Sequence, residues 1–313
     1  MIAHLKGREK ALRPFGWAGK QAEWIALVCL HSGVFTRAQW ARFNDAHPEQ
    51  IRRGVLGLLA QRVASEETEP GLAGIGRVCR IFARPVYRAL GAEHIRHRRG
   101  ASPEVLMRRL LSLDYVIEHA DLPWLPTEQE KVAAFEALGL DRSLLPVRVY
   151  RGAAGHTRRY FPVKLPVALD PARALFVYAD PGHNTATALR SWGRAHRGLW
   201  QALAKLDLSV EVVAVARTSR ELERARRVIG GWAEPAGPGD RDPGPGIPEE
   251  LARIERAIVE GAVDVLDEFG GLQAALKRSI ELEAQARRQE AGRGSIHRAA
   301  EWRTARLNGV RFR

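Results

Sequence analysis

Cysteine is scarce in this 313-residue chain. Cys29 and Cys79 are too few for a four-ligand cysteine zinc site, and two isolated thiols suit a reducing cytoplasm. No apolar run approaches the ~18 residues of a membrane-spanning helix. The first twenty residues alternate basic and apolar side chains without the continuous apolar stretch of a signal peptide. Gly231–Gly246 is rich in glycine but lacks the Lys-Ser/Thr of a phosphate loop and carries several prolines, so it reads as a linker. No Gly-x-Ser-x-Gly elbow is present. His156 and His183 lie in glycine-containing loops with no Cys or His at metal-ligand spacing. These absences predict a cytoplasmic protein with no cofactor, metal, catalytic residue or membrane partner.

What is abundant is arginine. Net charge is +13. Residues 1–100 carry 17 Lys/Arg against 8 Asp/Glu, a balance of +9. The segment Arg287–Arg313 holds 8 Arg against Glu290 and Glu301, a balance of +6, which leaves −2 for the middle. Positive charge concentrated at both ends suits neutralisation of phosphates with release of counterions.

Between those ends the N-terminal part has a definite order. Gln21–Ser32 places Trp24, Leu27, Val28 and His31 at helical spacing, and Gly33 stops the helix. Thr36 caps a second helix with Trp40 and Phe43 on one face, and Asn44-Asp45 marks a turn. Pro48 opens a third helix that runs to about Gln61. Ile51, Val55, Leu58 and Leu59 form its apolar stripe, which leaves Glu49, Arg53, Gly57 and Ala60 opposite and Gln50 and Arg52 on the flanks. Long polar side chains at the leading end and small residues behind suit a helix that enters a major groove. Val63–Thr68 and Val78–Phe82 flank a Gly/Pro-rich loop and read as a hairpin, followed by a helix Ala83–Leu90 ending at Gly91.

From Gln21 to Gly91 the chain resembles bacterial winged-helix regulators, down to a wing strand, RVCRIF, that leads into a short helix ending in Leu-Gly. The resemblance implies that the third helix reads double-stranded DNA through Gln50, Arg52 and Arg53, and that Arg77 and Arg80 serve the wing. It also implies that Arg37 and Gln39 meet phosphates. Glu66, Glu67 and Glu69 depart from the pattern, since an acidic wing repels phosphate.

Farther along, His94–Gly100 is a basic connector, Ser102 caps a helix to about His119, and Thr127–Glu130 forms a capping box for a helix through Leu138. Tyr160–Leu169 reads as extended, and Ala174–Ala179 and Val210–Ala216 read as buried strands. A helix Thr185–Leu206 lies between those two strands, and Thr218 caps another after them, so a small α/β domain with a parallel strand pair is expected. This order is similar to the replication-relaxation family of plasmids and conjugative elements, in which a winged helix precedes a degenerate, restriction-endonuclease-like domain. Asp170 and Asp180 fall at strand edges, but no acid-x-Lys follows them, which argues against the alternative of a metal-dependent nuclease or nicking enzyme.

The expected class is therefore mixed α/β, divided into a basic arm (1–17), a winged helix-turn-helix (18–95), a helical connector (96–140) and a small α/β domain (141–232). A Pro/Gly linker (233–248), a helical extension (249–290) and a basic tail (291–313) follow. The expected function is sequence-specific DNA binding in the regulation of a mobile element, by a homodimer working with plasmid or conjugation proteins. The apolar stripe of the extension suits pairing of two copies, and the tail suits a nucleic-acid arm.

Overall fold

A computed structural model of the chain describes residues 2–72, 75–152, 155–182, 186–232, 247–260, 263–290 and 302–304. Helix and strand are mixed, and the chain divides into two compact units. Met1–Gly230 with His297–Arg313 forms one, and Gly231–Ile296 forms the other.

The first unit is organised around α1 (Gly19–His31). Nearly every residue from Trp24 to Leu30 is apolar, and all are buried, as befits a helix packed on all sides. It ends where Gly33, at φ +75°, donates its N–H to the Val28 carbonyl at 2.6 Å. A Cβ there would also sit 2.6 Å from the His97 carbonyl oxygen, so the site requires glycine twice over. Beyond it come β1 (Val34–Thr36), α2 (Arg37–Asn44), α3 (Pro48–Ala60), β2 (Ala64–Thr68), β3 (Arg77–Ile81) and α4 (Arg84–Ala89). The strands form an antiparallel sheet in the order β1-β3-β2. Strand β1 is absent from the sequence reading because three residues are too few to show alternation.

Within the basic arm expected over 1–17, residues 2–17 pack onto the first unit. They form two 3-10 segments, Ala3–Leu5 and Arg8–Phe15, with Leu5 and Leu12 buried in them and Trp17 buried just after. His4 reaches His31 of α1 with Nε2 atoms 3.3 Å apart, and Arg8 forms an ion pair with Glu130. The arginines between these anchors hid the apolar spacing. In the basic 94–100 run His97 is buried against Gly33, while His94, Arg96, Arg99 and Gly100 are exposed.

Helix α5 (Pro103–Glu118) starts at Ser102, and α6 (Glu128–Ala137) starts with the Thr127/Glu130 capping box spelled in the sequence. A hairpin of β4 (Val147–Gly152) and β5 (Gly155–Tyr160) follows, which the sequence reading lacks. The expected extended segment Tyr160–Leu169 breaks at Phe161 and Lys164, both with positive φ, before β6 (Val167–Leu169). Strands β7 (Arg173–Ala179) and β8 (Ser209–Ala216) pair in parallel, joined by α7 (Ala186–Lys205), as expected. Helix α8 (Ser219–Gly230) follows, with Thr218 accepting from the Glu221 N–H at 3.2 Å. Aromatic rings fill the space between α7 and the sheet: His196 and Trp200 meet Phe176, Trp192 meets Tyr178, and the three α7 rings meet one another. Part of the basic tail is structural, because Trp302–Thr304 forms β9, parallel to β8, in the sheet order β6-β7-β8-β9. The rest of the tail lies outside the described residues, as do His183 and most of the Pro/Gly linker.

The second unit contains α9 (Ile247–Glu260), α10 (Val263–Asp267) and α11 (Leu272–Glu290). Gly270 and Gly271, both with positive φ, break the chain before α11 where the sequence suggests. Leu251, Ile254, Ala257, Leu266, Ala275 and Leu282 form its core. The predicted apolar stripe is split by this packing. Leu272, Leu276 and Ile280 repeat every four residues yet are exposed. Among the described residues no helix is long and apolar enough to cross a membrane.

Candidate nucleic-acid interface

Helix α3 owes its sidedness to its sequence. His47 caps it by accepting the Glu49 N–H at 3.3 Å, and Pro48 occupies the first turn, where no amide donor is needed. Ile51, Val55 and Leu58 are buried, while Gln50, Arg52, Arg53, Leu56, Gly57 and Ala60 are exposed. The outward face therefore begins with polar and cationic side chains and ends with small ones.

The two glycines of α3 differ. A Cβ on Gly54 would stand 2.7 Å from the Trp40 ring, so Gly54 lets α2 approach α3. A Cβ on Gly57 would meet nothing within 4 Å. Only Gly57 belongs to the open face.

The seven predicted contact residues divide into unlike sets. Arg52 is exposed but grips Glu49, one turn back, through two bonds of 2.9 and 2.8 Å. That bond holds the Glu49 carboxyl below the usual carboxylate range. Arg53 and Gln50 are exposed beside it.

Around the wing the picture changes. Arg37 makes a two-pronged pair with Glu66, both bonds at 2.7 Å, and Arg77 approaches the same carboxylate at 3.5 Å. Cys79 Sγ lies at 3.5 Å as well. The Glu66 side chain is only 4% exposed. Burial pushes its carboxyl up, but the Arg37 bond and charge, with help from Cys79 and Arg77, bring it below the ordinary range. Arg80 pairs with Glu69 at 3.5 Å and is half-buried. Glu66 and Glu69 thus pair with the wing arginines Arg77 and Arg80, while Glu67 is exposed. Arg37, Arg77 and Arg80 are pre-engaged cations and differ from Arg53 in that respect.

Gln39 is not a surface contact. It is fully buried: its side-chain oxygen accepts the Thr36 N–H at 2.9 Å, and its amide donates to the Leu110 carbonyl at 2.9 Å. It closes a capping box on α2 and ties that helix to α5. The T-x-x-Q spacing of Thr36–Gln39 carries that information in the sequence.

Asp170 and Asp180 serve turns. Asp170 accepts the Ala172 and Arg173 N–H groups, each at 2.9 Å, and pairs with Arg173. Asp180 follows β7 and accepts the Gly182 N–H at 2.9 Å. Burial, helped by the nearby Glu221 charge, raises its carboxyl. Among the described residues no three His, Cys, Asp or Glu side chains gather as a metal site. Comparison of the chain with protein-family models, with curated proteins and with solved structures finds no match.

Proposed function

We propose that this chain binds double-stranded DNA through α3, the third helix of a winged helix-turn-helix spanning about 18–95, and regulates genes of a mobile element. The observation that carries the reading is the two-sidedness of α3: its aliphatic side is anchored and Gln50, Arg52 and Arg53 are open to solvent. The order of helices and the antiparallel β1-β3-β2 sheet support a winged helix. The mobile-element assignment rests on the resemblance of Gln21–Gly91 and the following α/β segment. Nuclease activity has no comparable support, since both candidate aspartates are occupied in turns.

Binding to duplex fragments from upstream of the protein's own gene tests the reading. The complex is expected to weaken steeply with salt. Arg53→Ala is expected to cost ~1–3 kcal/mol of affinity with the melting temperature unchanged. Equal binding by wild type and Arg53→Ala removes α3 as the reading element.

Pairing of two copies belongs to the same proposal, because two α3 helices then address successive half-sites. The exposed Leu272, Leu276 and Ile280 seam supports it. Sedimentation of the full chain with Ile280→Lys checks it: loss of a dimer supports the seam, and a wild-type monomer at working concentration removes the pairing.

A further inference from the structure

Between the end of α4, the first turn of α6 and the β4–β5 hairpin lies a cleft of about 500 Å³. Lys131 lines it from α6, 4% exposed, with Nζ donating to the Leu165 carbonyl at 2.7 Å and 5.5 Å from the Phe161 ring centroid. Lys164 also lines it, with part of its side chain exposed and the rest enclosed near Arg109, Arg96 and Arg159, whose charges outweigh that of Glu128. Burial and then the Arg109, Arg96 and Arg159 charges hold the Lys164 ammonium down to about 8, and burial holds Lys131 down to about 7.

The nearby carboxylates are already engaged. Glu128 accepts the Tyr160 N–H at 2.8 Å and pairs with Arg159 at 3.7 Å. Glu136 is gripped by Arg142. Among the described residues neither Lys164 nor Arg96 forms an ion pair. Five cations, Arg96, Lys131, Arg142, Arg159 and Lys164, line the cleft against two carboxylates, Glu128 and Glu136, and a multiply charged anion relieves the excess of like charge.

We propose that this cleft binds a small phosphorylated molecule, with its phosphate oxygens held by Lys164, Arg96 and Lys131 and its remainder against Tyr160. Three separate donors suit a phosphate's several charged oxygens better than a single carboxylate. The volume lies within the range of small-ligand sites. A recessed floor at Lys131 favours a small molecule over a duplex, whose backbone is presented by a broad rod. The inference is independent of DNA reading by α3.

Calorimetric titration of the full chain with ATP, AMP and inorganic pyrophosphate, and separately with a short duplex, tests it. ATP or pyrophosphate is expected to bind saturably. Lys164→Ala, an exposed position that leaves the core intact, is expected to weaken that binding by roughly tenfold or more, while Arg77→Ala leaves it unchanged. Absence of saturable heat with all three probes overturns the proposal, as does equal affinity in wild type, Lys164→Ala and Arg96→Ala. Duplex affinity that falls in Lys164→Ala without any nucleotide binding also overturns it and gives these cations to DNA.

Discussion

Glu49 is the residue on which the α3 face turns, because it is the acid among the exposed groups of the leading turn and it holds Arg52. An exposed pair of this kind is worth little to stability, so Arg52 can exchange it for a phosphate. Glu49→Gln should therefore tighten duplex binding several-fold, read by fluorescence anisotropy, with no loss of thermal stability. Weaker binding in that variant means that the carboxylate itself contacts a base. The glycines provide a second comparison on the same helix. Gly54→Ala forces the Trp40 ring to move and should lower stability by about 1–3 kcal/mol. Gly57→Ala enters open space and should raise it by up to ~1 kcal/mol through helix propensity. Urea unfolding of the two variants should shift in opposite directions.

Elements with strong local signals were legible from sequence, and those defined by partners were not. Helices α1, α2 and α3 carry apolar spacing in their own residues, with the Gly33 stop, the Thr36 cap and Pro48 as their boundary signals, and each lies within a few residues of its expected limits. The parallel pair β7 and β8 shows as continuous apolar runs because both faces are covered. Strands β1 and β9 are three residues each and exist through pairing with distant strands, information that no local window holds. The β4–β5 hairpin was hidden differently: its exposed Val147, Val149 and Tyr150 mix with arginines and give no clear polar alternation. The same reasoning sorts the site. Charge and helix phase identified Gln50, Arg52 and Arg53 as outward. The inward turn of Gln39 and the capture of Arg37 by Glu66 depend on α5 and β2, which lie 71 and 29 residues away.

Across the whole molecule, buried imidazoles give stability a dependence on acid. His196 sits among Phe161, Phe176, Trp192 and Trp200, with its Nδ1 2.7 Å from the Trp192 carbonyl. Burial pushes its pKa down to about 3, against the pull of that carbonyl. The unfolded chain binds a proton near 6.5 and the folded one does not, so stability falls as pH drops between those values. From pH 7 to 5 the loss attributable to His196 is about 2 kcal/mol. Asp114 works in the opposite sense, its carboxyl raised to about 7 by burial despite Arg42. Comparison with His196→Phe cancels that contribution: wild type should lose about 2 kcal/mol more than the variant over this range. Identical pH slopes would mean that the ring is hydrated in solution.

The placement of β9 has a practical consequence for dissecting this protein. Trp302–Thr304 pairs with β8 although the 231–296 unit lies between them in sequence, so that unit interrupts the first in chain order. A truncation after Gly230 would strip β9, the fourth strand, from β8 and leave the backbone donors and acceptors of Ala214–Ala216 facing water, a template for aggregation. The chain truncated after Gly230 is expected to aggregate on gel filtration where the full chain runs as a single species, and equal behaviour of the two would mean that β9 does not protect that edge.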